Sequence, residues 1–140
     1  MARMPETSPA GLIRAFITTY DPGTGTDSIG DRPGLARFLR DHVLVSGPVP
    51  ISPAHHEEAL ALRDGLLAHL STSAERDTEA IAHAQRILDG LRITVALDVD
   101  AHHVFAPAVV DELRRALARL AGAWATVVIT GEWRDLRGTR

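Results

Sequence analysis

The chain has 140 residues and a mass of 15.1 kDa, with 45% hydrophobic and 24% charged residues and a net charge of −3. It contains no Cys, no Lys and no Asn, so all 15 basic side chains are Arg. These absences exclude a disulfide, a thiolate zinc site, a cysteine nucleophile, Schiff-base chemistry, a lysine-dependent phosphate loop and an N-glycosylation acceptor, and the acidic balance argues against direct nucleic-acid binding, which calls for a basic field.

Residues 1–10 read as a flexible lead with no apolar signal region, and 11–140 as one domain of ordinary size. Leu12 to Tyr20 is apolar and β-branched, and over nine residues periodicity leaves helix and strand both open. Asp21 to Gly30, with Pro22, Gly23, Gly25 and Gly30, marks a loop. Asp31 then caps a helix with Pro33 in its first turn and Leu35, Phe38, Leu39 and His42 at spacings of three and four. Ser52 caps a second helix, with Pro53 at its first position and Glu57 and Glu58 early, where the dipole favours anions. Its apolar face is Ala59, Leu62, Leu66 and Leu70. Asp77 caps a third helix carrying Ile81, Ala84 and Leu88, with Gly90 as a left-handed stop.

The period then changes. Arg92 to Val99 alternates, with Ile93, Val95, Leu97 and Val99 on one face, as a half-buried strand does. Asp100-Ala-His turns it into a short partner strand around His103 to Phe105, and Pro107 opens the last helix. There Val110, Leu113, Leu117, Leu120, Trp124 and Val127 repeat at three- and four-residue steps, with Asp111 and Arg115 as an i,i+4 pair. Gly122 inside this helix suggests a close backbone approach. The helix is expected to run to about Ile129 and stop at Gly131. The longest apolar run, Leu120 to Ile129, is about half of what a membrane span needs, and the expected location is the cytoplasm. The fold class is α+β and predominantly helical: four to five helices packed around a long C-terminal helix, with a small β-hairpin at about 92–106.

Several groupings carry chemistry-bearing residues. In His55-His56-Glu57-Glu58 the adjacent imidazoles point about 100° apart on a helix, so they cannot chelate as an i,i+4 pair does, and a solvated first turn is the simpler reading. Asp98, Asp100, His102 and His103 surround one turn and offer acid/base groups, against the plainer account of a polar hairpin tip. The G-x-G at Gly23–Gly25 lacks the strand–helix frame of a nucleotide loop. Arg63 lies at the edge of the second helix's apolar stripe, where it either snorkels to water, the default, or turns inward to hold an anion in a bidentate grip. Trp124 lies on the seam of the last helix, as core or as a wall of an apolar pocket. The seam itself reads first as the face packed on the chain's own core, and second as a dimer stripe. No metal set and no catalytic triad is legible.

Four short motifs resemble the ABATE domain, the module of bacterial stress-induced transcription regulators that usually precedes a CGNR-type zinc finger. They are Phe16-Ile-Thr-Thr19 with Asp21-Pro-Gly, Leu35-Ala-Arg-Phe-Leu39, Ala59-Leu-Ala-Leu-Arg-Asp-Gly-Leu66 and Gly131-Glu-Trp-Arg-Asp-Leu-Arg137. They span residues 11–137. Departures from the family's pattern are Ala15 for Asp, Thr18 for Asn, Phe38 for Trp and Gln85 for Asn. The Cys cluster expected after Leu136-Arg137 is also missing, so the chain reads as a stand-alone form without the zinc finger. The resemblance implies a small-molecule-sensing domain and carries over Phe16, Thr19, Arg63 and Trp133. The expected ligand-binding residues are Arg63, Phe16, Thr18, Phe38 and Trp124, with no cofactor, no metal and no catalysis. Expected partners are a small molecule and a second copy or a separate regulator. The alternatives are a small tailoring enzyme using Asp98, Asp100, His102 and His103, and a dimerisation module acting through the C-terminal helix.

Overall fold

A computed structural model describes residues 8–72, 75–91, 93–95, 105–107 and 112–137. In chain order the elements are α1 (Pro9–Ile17), β1 (Tyr20–Asp21), β2 (Thr26–Asp27), α2 (Arg32–Asp41), α3 (Pro53–Leu70), α4 (Thr78–Gly90), β3 (Ile93–Val95), β4 (Phe105–Pro107), α5 (Glu112–Thr130) and α6 (Trp133–Leu136). The α+β, mostly helical class is therefore as expected, with α6 as an additional short helix.

Capping chemistry sets the helix starts. Ser8 accepts from the Gly11 amide, Asp31 from Gly34, Ser52 from His55 and Asp77 from Ala80, each satisfying one donor of a first turn that has no intrahelical partner. Helix α1 begins within the residues read as a lead, and it resolves the 12–20 ambiguity as helix followed by a strand of two residues. The loop from Asp21 closes into a tiny hairpin in which Tyr20 pairs with Asp27 and Asp21 with Thr26. Gly25, at φ 72°, turns its corner.

Two boundaries differ from expectation. Gly90 is the last residue of α4 and does not stop it in a left-handed conformation; the chain leaves through Leu91 in an extended one. Pro107 belongs to β4, whose ladder pairs Ile93 with Pro107 and Val95 with Phe105. Helix α5 is described from Glu112, and residues 96–104 and 108–111 lie outside the described residues. Gly131, at φ 82°, follows α5 as expected.

Helix α2 ends in a Schellman motif. The Leu44 amide reaches the Leu39 carbonyl and the Val43 amide the Arg40 carbonyl, and Leu44 and Leu39 are both buried, which supplies the apolar contact of that motif. The left-handed position is filled by Val43 at φ 56° rather than by Gly, with the side chain 68% exposed.

One core joins the helices. Ile13, Phe16 and Ile17 of α1 lie against α5, whose Leu113, Leu117, Leu120 and Val127 are at most 1% exposed. The α5 seam is thus occupied by the chain's own core. Helix α3 lies along α4 at Gly65, where a Cβ would collide with the Ala84 methyl and stand 2.8 Å from the Ala80 carbonyl oxygen. A close helix–helix approach at a glycine is therefore built here, between α3 and α4. Arg114 ties the assembly together: Nη1 donates to both Glu58 oxygens at 3.0 and 2.9 Å, and Nη2 donates to the Gly90 carbonyl at the end of α4.

Candidate functional site

Arg63 turns inward. It is 4% exposed and is the one buried charged residue among the described residues. Such a guanidinium needs partners, because burying an unpaired charge is costly. Nη1 donates to Asp27 Oδ1 at 2.7 Å and to the Thr19 hydroxyl at 3.3 Å, and Nε donates to Asp64 Oδ1 at 3.0 Å. The Tyr20 ring centroid is 5.9 Å from its Cζ, within cation–π range. Burial alone would lower the guanidinium's pKa; the Asp27 hydrogen bond and the Asp64 charge outweigh it, and the net direction is up. The cation is locked in its charged form.

The two carboxylates differ. Asp27 is 23% exposed, and its Oδ1 also accepts the Ile29 amide at 3.1 Å, an Asx-turn that fixes the side chain. Asp64 is 54% exposed and adjoins Arg63 on the same helix. The Thr19 hydroxyl, while accepting from Arg63, donates to the Phe16 carbonyl, which holds it at the end of α1. Thr18 points elsewhere, its hydroxyl returning to the Arg14 carbonyl at 2.7 Å.

The model of the ABATE family, described as "Putative stress-induced transcription regulator", matches residues 12–131. The chain belongs to the ABATE family. No curated protein and no solved structure matches it. Within this ABATE domain the first motif contributes Thr19 and the A-L-x-L-R helix contributes Arg63, two residues 44 positions apart that the fold brings into hydrogen-bond contact.

The other expected residues are placed separately. Phe16 and Phe38 meet in the core with ring centroids 5.8 Å apart. Trp124 is half-buried and meets His69 edge-on at 5.7 Å. It lines a pocket of about 100 Å³ with Gly65, Leu66, Ile81, Ala84 and Leu88, and Arg63 is not part of that lining. Trp133 packs under Arg134 at 5.0 Å. His56 Nε2–H donates to the Ile29 carbonyl at 2.8 Å, and Glu58 pairs with Arg114, so the His-His-Glu-Glu turn is engaged in packing rather than merely solvated. Among the described residues no cluster of three or more His, Asp or Glu side chains is arranged to hold a metal. No helix of the described residues is long and apolar enough to cross a membrane. Asp98, Asp100, His102 and His103 lie outside the described residues.

Sequence reasoning missed Asp27, Asp64 and Tyr20. Asp64 was legible as a helix neighbour of Arg63. Asp27 was not, since nothing in a Gly-Thr-rich loop marks which carboxylate will meet a cation 36 positions later.

Proposed function

We propose that this ABATE domain is a non-catalytic sensor of a small, partly apolar molecule and that Arg63 is the cation that recognises it. The observation that carries this reading is a buried guanidinium with three of its five N–H donors engaged and the two on Nη2 open among the described residues. Each of its two carboxylates meets it through a single nitrogen, and Nη2 has no hydrogen bond among the described residues. Buried Arg serves bidentate recognition of carboxylates and carbonyls well, because its donors are fixed in a planar fork. Thr19 offers a hydroxyl beside the cation. Trp124 and its pocket, which Arg63 does not line, would form a second contact surface between α3, α4 and α5, while Phe16 and Phe38 would act through the packing that sets α1 and α2 around the site and Thr18 through the C-terminal end of α1. In this reading the protein is cytoplasmic, binds no nucleic acid itself and reaches transcription through a second copy or a separate regulator.

A thermal-shift screen of carboxylate and carbonyl metabolites tests the proposal, using the wild type beside Arg63→Met and Trp124→Phe. A sensor gives at least one compound that raises the wild-type melting temperature and fails to raise that of folded Arg63→Met. A compound that shifts both proteins equally, or no shift across the whole screen, removes Arg63 as the recognition residue.

A further inference from the structure

The fold already supplies a carboxylate to the proposed recognition cation, and it comes from a different element. Asp27 lies on the β1–β2 hairpin, while Arg63 and Asp64 are neighbours on α3. Arg63 with Asp27 and Asp64 leaves the cluster with one negative charge in excess. A third carboxylate cannot simply join it; like charges around one cation disfavour each other, so an incoming carboxylate has to replace one already there.

Replacing Asp64 would move nothing, since Asp64 stays on the helix that carries Arg63. Replacing Asp27 would release a tether. The hairpin's own ladder is two residues per strand, far short of what an isolated hairpin needs to persist in water. Residues 20–26 are all exposed. Within that hairpin the Asp27–Arg63 ion pair is the side-chain tether to α3, and the chain just after it is held by the Ser28 amide on the Thr19 carbonyl, the buried Ile29 side chain and His56 on the Ile29 carbonyl.

The internal contact is also weaker than the best available one. Asp27 uses one oxygen on one nitrogen, and that same oxygen serves the Ile29 amide. A free carboxylate, unconstrained by a turn, can take Nη1 and Nη2 together, the two-point geometry that strengthens Arg–carboxylate pairing.

From this we infer that Asp27 is a built-in pseudo-ligand: an autoinhibitory carboxylate that occupies Arg63 until a ligand carboxylate displaces it, which frees the β1–β2 hairpin as the output of sensing. The inference rests on the reading of Arg63 as the recognition cation and adds the ligand class and the moving element.

Acetate is the probe, with chloride at matched ionic strength as the control. Its binding is followed by amide resonance shifts in the wild type, in Asp27→Asn and in Asp27→Asn/Arg63→Met. Hydrogen exchange of the Thr26–Ile29 amides is followed in the wild type alone as well, so the test survives if a variant fails to fold. Asp27→Asn keeps the oxygen that caps the turn and removes the competing charge. The expected results are acetate affinity at least about tenfold tighter in Asp27→Asn than in the wild type, loss of binding in the double variant, and faster exchange of Thr26–Ile29 in acetate-saturated wild type than in chloride. Equal affinity in wild type and Asp27→Asn overturns the inference, as does binding that leaves hairpin exchange unchanged. Acetate binding to neither protein overturns it too. In all three cases a metabolite that still shifts the wild type but not Arg63→Met leaves the sensing proposal standing.

Discussion

Gly65→Ala sets two local rules against each other, and the structure decides the sign. Helix propensity alone favours Ala over Gly by about 1 kcal/mol in a helix interior. The added methyl, however, would collide with the Ala84 Cβ and lie 2.8 Å from the Ala80 carbonyl oxygen. Neither neighbour has a rotamer through which to yield, so α3 and α4 must separate along their contact. Overpacking of this kind costs about 1–3 kcal/mol, and here, where backbone has to move, the upper end or beyond applies. The expected net loss is about 2 kcal/mol, which for a domain of this length is a fall of roughly 6–8 °C in melting temperature. Far-UV circular dichroism with thermal and urea unfolding reads it directly. Ala84→Gly in the same chain opens the space again, so the double variant should recover at least about 1 kcal/mol relative to the sum of the two single changes, as contacting sites do. A melting temperature raised by a few degrees in Gly65→Ala would refute the close packing of these helices.

Three further outcomes follow from other features. Val43→Asn should stabilise the protein by about 0.5–1 kcal/mol, since Asn tolerates the left-handed position and little buried surface is lost; a loss in urea unfolding would mean that the exposed Val43 side chain is engaged elsewhere. Arg114→Met should cost about 1 kcal/mol, a modest value because Arg114 and Glu58 are each about a quarter exposed, and adding Glu58→Gln should cost little more; additive losses would show that the pair does not act as a unit. His42 has its pKa lowered by burial, against the opposing charge of Asp41, and its Nδ1 is buried with no hydrogen-bond partner among the described residues. Its folded value therefore lies below 6.5, the unfolded chain takes up this proton first on acidification, and stability falls as pH drops from above 6.5 toward the folded value. His42→Leu should flatten that slope in urea midpoints measured between pH 7.5 and pH 5, and an unchanged slope would assign it to other groups.

The sequence by itself determined α2, α3 and α4 and their starts. Ser52 and Asp31 cap where their side chains can reach a first-turn amide, and the three–four spacing of Leu113, Leu117, Leu120 and Val127 marks a buried stripe whatever it packs against. These are local relations, carried by residues within one or two turns of each other. The ABATE motifs were legible for the same reason, as short runs in order along the chain. The tertiary structure alone decided which way Arg63 turned and what met it. A guanidinium at the edge of an apolar stripe can reach water or the interior equally well from its own helix. Its inward position was fixed by Asp27 and Thr19, which come from elements far away in the chain. The same holds for Gly65: a helical glycine signals room for a close neighbour, but only the packing of α3 on α4 shows what that neighbour is. Charge balance around Arg63, and with it the displacement expected of any carboxylate that binds there, is a property of three residues that only the folded chain brings together.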